Sequence, residues 1–486
     1  MSERADKAQT ARPLLYDVGE MAAAMGADVR GVPGGVHGIS IDSRTLEAGD
    51  AFFAITGEAS DGHDYVAKAL AGGAALAVVA RYRADAFAAD VPLLLVDDVL
   101  AALNDLARAA RARSSARIVA VTGSVGKTTT KEALRVALGA DGETHASAAS
   151  YNNHWGVPLS LARLPRAARY GVFEIGMNHP GEISPLVKLV RPHVAIITTV
   201  EAAHLAQFSG LEEIADAKAE IFDGLEPGGA AVLNADNGQF ARLKAAAAAK
   251  GVARIVTFGA AEGTDVHLKS LTLQPTCSVA VADVLGTPVT FKAAMPGRHI
   301  VQNMLAVLAA TALVGADLAL AAIALGRMQP PAGRGVPVRL GLDGAEATLI
   351  DESYNANPAS MRAALEVLGY TGTGPRGRRI AVLGDMLELG PDGPALHAAL
   401  ADDIRTNGID LVFCSGPLMH ALWDALPHER RGGYAHGAQH LEPMVASAIR
   451  AGDTLMVKGS NGSRMGPLVK ALSDRFRAGS AAFPEG

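Results

Sequence analysis

Cysteine is scarce: only Cys277 and Cys414 occur in 486 residues, far apart in sequence. No Cys-x-x-Cys pair exists, so neither a disulfide framework nor a cysteine zinc site is supported, and a reducing compartment is the default. Long apolar runs are missing too. The most apolar stretches, 69–80 and 318–325, fall short of the roughly 20 residues a membrane helix needs and read as buried helix or strand. Residues 1–17 mix charges and hold no apolar core of signal-peptide type. The expectation is a soluble, cytoplasmic protein with no membrane insertion. There is no excess of positive charge: 44 Lys and Arg against 50 Asp and Glu give a net charge of -6. That balance argues against a nucleic-acid partner. At 49% hydrophobic and 19% charged residues, the chain is globular rather than disordered.

At about 150 residues per domain, the length suggests three domains, and 53 glycines suggest many tight turns or phosphate-approaching loops. From residue 14 to the mid-90s, apolar runs at 38–41 and 51–55 read as strands around a turn at 47–50. A helix over 65–71 and a buried strand over 75–79 follow. A helix over 99–112, with Leu100, Leu103 and Leu106 at helical spacing, opens a second segment. Strands at 117–122, 171–175, 194–200 and 230–233 then alternate with helical stretches such as 127–138, the pattern of a parallel sheet covered on both faces. Residues 265–292 switch to short alternating strands, predicting an antiparallel insert, and a helical stretch over 300–325 closes the segment. Gln329-Pro330-Pro331-Ala332-Gly333-Arg334-Gly335 is the best linker candidate. Beyond it, strands at 347–350, 379–383, 411–414 and 454–457 and helices at 361–368, 396–404 and 443–451 predict a second open, doubly wound α/β unit. The expected fold class is therefore α/β in three domains. A small mixed α/β domain spans 1–96, a central parallel-sheet domain of phosphate-loop ATPase type 97–328, and a C-terminal Rossmann-like domain 329–486.

The strongest chemical signal is Thr122-Gly123-Ser124-Val125-Gly126-Lys127-Thr128-Thr129, where an apolar strand ends in a glycine-rich loop that opens into a helix. The N–H groups of such a loop, with the helix N-terminus, attract anions. Lys127 is placed to reach terminal phosphates and the Thr128 hydroxyl to sit on Mg2+. The strict Gly-x-x-x-x-Gly-Lys-Ser/Thr pattern fails, since its first glycine would fall at Val121; the loop is a compressed Thr-Gly-x-x-Gly-Lys-Thr form. Mg2+ keeps several waters, so one or two protein ligands suffice. Glu174 ends an apolar strand, where a carboxylate must face a cation or an N–H donor. His204 follows the strand at 194–200. Taken alone it reads as a structural or surface histidine; with the phosphate loop upstream, it becomes a candidate beside a second metal. Lys218, from spacing alone, reads as a solvated helix lysine.

Along the chain the loop is followed by Tyr151-Asn152-Asn153-His154-Trp155-Gly156-Val157-Pro158, Glu174-Ile175-Gly176-Met177-Asn178 and His204. Lys218, Gly297-Arg298-His299 with Asn303, and Gly333-Arg334 come next, while Asp42-Ser43-Arg44, Gly49-Asp50 and Asp61-Gly62-His63 precede the loop. This series resembles the Mur ligase family of ATP-dependent amide-forming enzymes of peptidoglycan precursor synthesis, over nearly the whole chain. Asp351-Glu352-Ser353-Tyr354-Asn355-Ala356-Asn357-Pro358, Gly384-Asp385-Met386-Leu387-Glu388-Leu389-Gly390 and Val457-Lys458-Gly459-Ser460 resemble the branch that adds D-alanyl-D-alanine to UDP-N-acetylmuramoyl-tripeptide. After Lys458 that branch usually continues with an Arg-Gly pair; here the chain reads Asn461-Gly462-Ser463-Arg464-Met465-Gly466.

The resemblance implies ATP and Mg2+ as cofactors, the UDP-tripeptide and the dipeptide as small-molecule partners, and a monomer. It implies that the tripeptide carboxylate is first phosphorylated and the dipeptide amine then displaces phosphate. It places Lys127, Glu174, His204 and Lys218 at the chemistry, with Thr128, Glu174, His204 and a carbamylated Lys218 serving metals. Gly123, Ser124, Val125, Gly126, Lys127, Thr128 and Thr129 would hold ATP, Asn303 would meet the adenine, and Arg334 and Asp351 would reach the nucleotide from the third domain on closure. Ser43 and Arg44 would bind the uridine nucleotide, and Asn152, Asn153, Tyr354, Asn355 and Asn357 would line substrate. Read locally, the same residues also allow a polar hairpin turn at Ser43–Arg44, a helix-bend position at Asn303, a solvated loop charge at Arg334, and an Asx turn before Pro358. Two other functions fit a phosphate loop. One is a related ligase of the UDP-muramyl-dipeptide or folylpolyglutamate type. The other is a nucleotide-binding switch that ligates nothing.

Overall fold

The structure, a computed structural model, describes residues 12–57, 60–202, 205–342 and 345–477. By internal contacts it divides into two units. The first runs through Ile118 and adds Glu143–Ile175 and Pro185–Arg191; the second holds Val119–Gly142, Gly176–Ser184 and the chain from Pro192 onward.

In the first unit, helix Val18–Met25 starts where the Asp17 carboxylate accepts the N–H groups of Gly19 and Glu20, and stops where Gly26 turns left-handed at φ 59. Five strands lie in the order Asp28–Arg30, Leu93–Val96, Leu76–Ala80, Asp50–Phe53, Gly38–Ser40, antiparallel at the first pair and parallel thereafter. Leu76–Ala80 is buried along its whole length, as an inner parallel strand must be. The short edge strand Asp28–Arg30 is mostly exposed and left no apolar signal in the sequence. Helix Val99–Arg113 begins on the Asp98 side chain and agrees with the expected helix to within a residue. Its buried Arg111 donates to the carbonyls of Val190 and Arg191 at 2.9 and 2.8 Å. A parallel pair, Thr144–Ala146 with Tyr170–Glu174, carries Glu174 at its C-terminal end.

In the second unit, seven strands pair in the order Thr287–Ala293, Ser278–Val284, Val266–Leu273, Arg254–Gly259, Ala230–Asn234, Val194–Ile197, Arg117–Thr122, the last of which begins two residues inside the first unit. The expected antiparallel insert is present as the meander of the first three strands, and the rest are parallel. The expected helix over 300–325 is two helices, Arg298–Leu313 and Leu318–Leu325. Gly315 turns left-handed at φ 77 and the Asp317 carboxylate caps the second helix. The stretch 318–325 is also not fully buried: Leu320 and Ile323 face solvent.

A six-stranded sheet completes the second unit in the order Val336–Leu342, Ala345–Glu352, Thr454–Lys458, Arg379–Gly384, Leu411–Ser415, Arg431–Ala435. Only the first pair is antiparallel. Ile380 and Val382 pack into one core and Ala381 and Leu383 into another. This two-faced burial is the signature of a doubly wound sheet. The linker candidate ends where strand Val336–Leu342 starts, a strand hidden by its alternating exposure. The expected helix over 396–404 is two short helices, Gly393–Ala398 and Leu400–Thr406. Among the described residues, no helix is long and apolar enough to cross a membrane, and both cysteines are free and buried.

Leu365 is fully buried in one of these cores. Leu365→Ala is expected to cost about 2–5 kcal/mol through lost transfer energy and a cavity, read as a lower denaturant midpoint; an unchanged midpoint would contradict this core assignment.

Candidate active site

Strand Arg117–Thr122 is buried after its first residue and delivers the chain to the phosphate loop. A side chain at position 123 has no room: a Cβ there would lie 1.9 Å from the Thr198 hydroxyl, and φ is 154. The neighbouring segment 198–201 braces the loop. The Thr198 hydroxyl donates to the Val125 carbonyl at 2.6 Å, and the Thr198 N–H donates to the Thr122 carbonyl at 3.0 Å. The Ser124 N–H donates to the Thr199 carbonyl at 2.9 Å, while the Ser124 hydroxyl and the Glu201 backbone exchange hydrogen bonds at 2.9 Å. Asn234 and Asn237 hold that segment in turn, through the carbonyls of Thr198 and Val200. None of these bracing residues was singled out in the sequence; a Thr-Thr pair at a strand end was the signal available.

Gly126 adopts φ 84 and opens helix Lys127–Gly139, so the loop and helix N-terminus form one anion-attracting surface. The Lys127 ammonium donates to the Gly123 carbonyl at 2.8 Å. Thr128 and Thr129 are buried in the first turn. Asn303, from helix Arg298–Leu313, presses its amide against Gly126, where a Cβ would come within 2.8 Å of its Oδ1. The structure thus brings Asn303 against the loop at Gly126.

Lys218 overturns its local reading. It is 2% exposed in the last turn of helix Leu211–Ala219. Burial holds its pKa well below the usual lysine range, and the charge of Lys127 pushes the same way. Both effects favour the uncharged amine. His204 lies outside the described residues. Among the described residues no cluster of three His, Cys, Asp or Glu could hold a metal.

The former linker also reaches the loop. Arg334 donates to the Thr128 hydroxyl at 3.0 Å, and its guanidinium stacks 4.1 Å from the Tyr354 ring centre. Gly333 and Gly335 tie this turn to the end of strand Ala345–Glu352 through Tyr354 and Asp351 backbone bonds of 3.2 and 2.8 Å. Asp351 accepts from both the N–H and hydroxyl of Ser353 in an Asx-type turn. Tyr354 and Asn355 are exposed. Asn357 is buried as the N-cap of helix Pro358–Tyr370, in a reciprocal pair with Ser360 at 2.9 and 3.0 Å. Its side chain is thus spent on the helix rather than turned outward. Lys458, unassigned by the sequence, is buried and binds Glu352 and the Asn355 carbonyl at 3.2 and 3.0 Å. It fixes the loop that carries Tyr354. Gly333, Asp351, Ser353, Tyr354, Asn461 and Arg464 line a cleft of about 560 Å3 beside this loop.

In the first unit, Asn152 donates to the Glu174 carboxylate at 2.7 Å, which meets the requirement that this buried acid face a donor. Asn153 accepts from the Gly156 N–H at 2.9 Å and shapes the turn before helix Gly156–Ala162. Arg44 lies outward and grips Asp42, whose carboxyl it holds down to about 2. Ser43 is half-buried beside it.

A phosphate loop braced by a second strand end and met by an arginine from a following doubly wound module defines an ATP-using ligase of modular build. The chain belongs to the Mur ligase family. Residues 35–111 match the family's catalytic domain, 121–311 the Mur ligase middle domain, and 338–461 the glutamate ligase domain. It is 35% identical, over 94% of this chain and 98% of the relative, to UDP-N-acetylmuramoyl-tripeptide–D-alanyl-D-alanine ligase of Escherichia coli (strain K12). Among solved structures it is similar to MurF from Acinetobacter baumannii, with a TM-score of 0.81 and 29% identity over 94% of this chain and 99% of that one. It is also similar to MurF ligase from Thermotoga maritima in complex with ADP, with a TM-score of 0.74 and 25% identity over 91% and 98% of the two chains.

Gly123→Ala is expected to weaken binding of an ATP analogue while costing about 1–3 kcal/mol of stability, because the methyl must displace Thr198. Calorimetric titration beside a thermal melt checks both, and unaltered nucleotide affinity would contradict the loop's role.

Proposed function

We propose that this protein joins D-alanyl-D-alanine to UDP-N-acetylmuramoyl-tripeptide with ATP, giving the UDP-pentapeptide, ADP and phosphate. The observation that carries the proposal is the phosphate loop with Arg334 from the following module on Thr128, in a chain 35% identical to a ligase of that name.

A carboxylate is a poor electrophile. Transfer of the γ-phosphoryl group makes it an acyl phosphate, and the dipeptide amine attacks that carbonyl, expels phosphate and loses a proton. The residues named here work by position and charge. Lys127 and the loop N–H groups stabilise charge on the transferring group, and Arg334 adds a second cation from the side of the C-terminal module. Closure keeps water from the acyl phosphate. Bound Mg2+ would offset the combined charge of triphosphate and carboxylate; Thr128 and the buried Glu174 have the oxygen donors it prefers, and His204 is a further proposed ligand. Lys218 is proposed as a carbamate: its neutral amine adds CO2 and releases a proton, turning a cation into a metal-binding anion. Ser43 and Arg44 are proposed for the uridine nucleotide, Asn303 for adenine, Asp351 for the nucleotide on closure. Asn152, Asn153, Tyr354, Asn355 and Asn357 are proposed for the substrates, although Asn153 and Asn357 contribute through the turns they hold. The protein is proposed to act as a cytoplasmic monomer, with domain boundaries near 96/97 and 328/329.

Phosphate release is followed with ATP, Mg2+ and UDP-muramyl-tripeptide, with and without the dipeptide. Release should require D-alanyl-D-alanine; release that ignored it, or needed a folate or a free amino acid, would overturn the proposal. Lys127→Ala should lower kcat on the order of 100-fold or more. Lys218→Ala should abolish turnover, and the intact mass of the wild type should include one added CO2 that the variant lacks.

A further inference from the structure

Among the described residues, Asp351 and Arg464 are the only charged side chains lining the cleft beside Tyr354. The cleft therefore offers one anion and one cation, the complement of a molecule that carries an ammonium at one end and a carboxylate at the other. Its two ends are not equivalent. Gly333 lines it, and the next residue, Arg334, donates to Thr128 of the phosphate loop. The Asp351 backbone carbonyl accepts from the Gly335 N–H, so the backbone at Asp351 lies beside the Gly333–Gly335 turn that reaches the phosphate loop. Arg464 stands on the separate turn Asn461–Ser463, which follows strand Thr454–Lys458.

Position 464 adopts φ 54 and ψ 40. This left-handed conformation suits glycine and strains other side chains. The chain nonetheless keeps arginine there, in the segment after Lys458 where the sequence lacks the Arg-Gly pair that the resemblance leads one to expect. Its N–H closes the turn on the Asn461 carbonyl at 3.1 Å. A glycine could make the same backbone bond, so the turn does not explain the guanidinium, which is exposed and makes no described hydrogen bond.

We propose that Arg464 binds the terminal carboxylate of the incoming dipeptide, with Asn461 on the same turn, and so orients the opposite amine toward the phosphate-loop end of the cleft. A guanidinium pairs a carboxylate through two parallel N–H bonds, which fixes direction as well as affinity. Arg464 would then set specificity for an acceptor with a free C-terminal carboxylate. This inference rests on the ligase reading above.

The test compares D-alanyl-D-alanine with its C-terminal amide in wild type, Arg464→Gly and Arg464→Lys. Glycine fits the backbone at 464, so the fold is kept, and a thermal melt verifies this. Arg464→Gly should raise KM for the dipeptide about 10- to 100-fold with KM for ATP and for the UDP-tripeptide little changed, and Arg464→Lys should fall between. Wild type should discriminate strongly against the amide and Arg464→Gly should not. An Arg464→Gly protein with wild-type KM, or with the wild-type preference for acid over amide, would overturn the inference while leaving the ligase reading intact. A wild-type protein whose phosphate release ignored the dipeptide would instead overturn the ligase reading.

Discussion

Everything at the nucleotide end depends on the absence of a side chain at Gly123. With only hydrogen there, the Thr198 backbone and hydroxyl lie against the loop and hold the carbonyls of Thr122 and Val125. Lys127 takes the Gly123 carbonyl. Carbonyl oxygens that would repel a phosphate are thus turned to internal donors. Preorganisation of this kind spares the reorganisation that a flexible loop would undergo during phosphoryl transfer.

Charge follows the same economy. The protein is acidic overall, yet ATP and the UDP-tripeptide are anions and the dipeptide carries a carboxylate, so attraction has to be local. Lys127, Arg334 and Arg464 are each placed singly at a loop rather than gathered into a basic patch. Lys218 is the exception among the cations, because burial beside Lys127 favours its uncharged form. In that form it can gain a negative charge chemically, a change no other lysine assigned here is built to make.

The phosphate loop was legible because its requirements are contiguous: a strand, two glycines, a lysine and a hydroxyl within eight residues. Parallel strands such as Leu76–Ala80 and Arg379–Gly384 were legible because they are continuously apolar, while Leu93–Val96, Thr144–Ala146, Arg254–Gly259 and Arg431–Ala435, shorter or broken by polar residues and glycine, were not. What could not be read were properties that arise only on packing. Lys218 sits on a helix whose spacing suggests solvent, yet it is buried. Lys458 gave no local sign that it would organise the Tyr354 loop. Val336–Leu342 is an edge strand exposed at alternate residues, and it followed so closely on a Pro/Gly stretch that the boundary was lost. The polar groups of Asn153 and Asn357 were identified, but local hydrogen bonds claim them, a competition that residue type alone does not reveal.

The first unit is assembled from three separate stretches of chain, ending with Pro185–Arg191, and the phosphate loop lies between the first two. During synthesis from the N-terminus, that unit cannot be finished until Arg191 has left the ribosome, long after the nucleotide loop has emerged. No single cut of the gene separates the two units either, so neither could be inherited or expressed whole as one uninterrupted fragment.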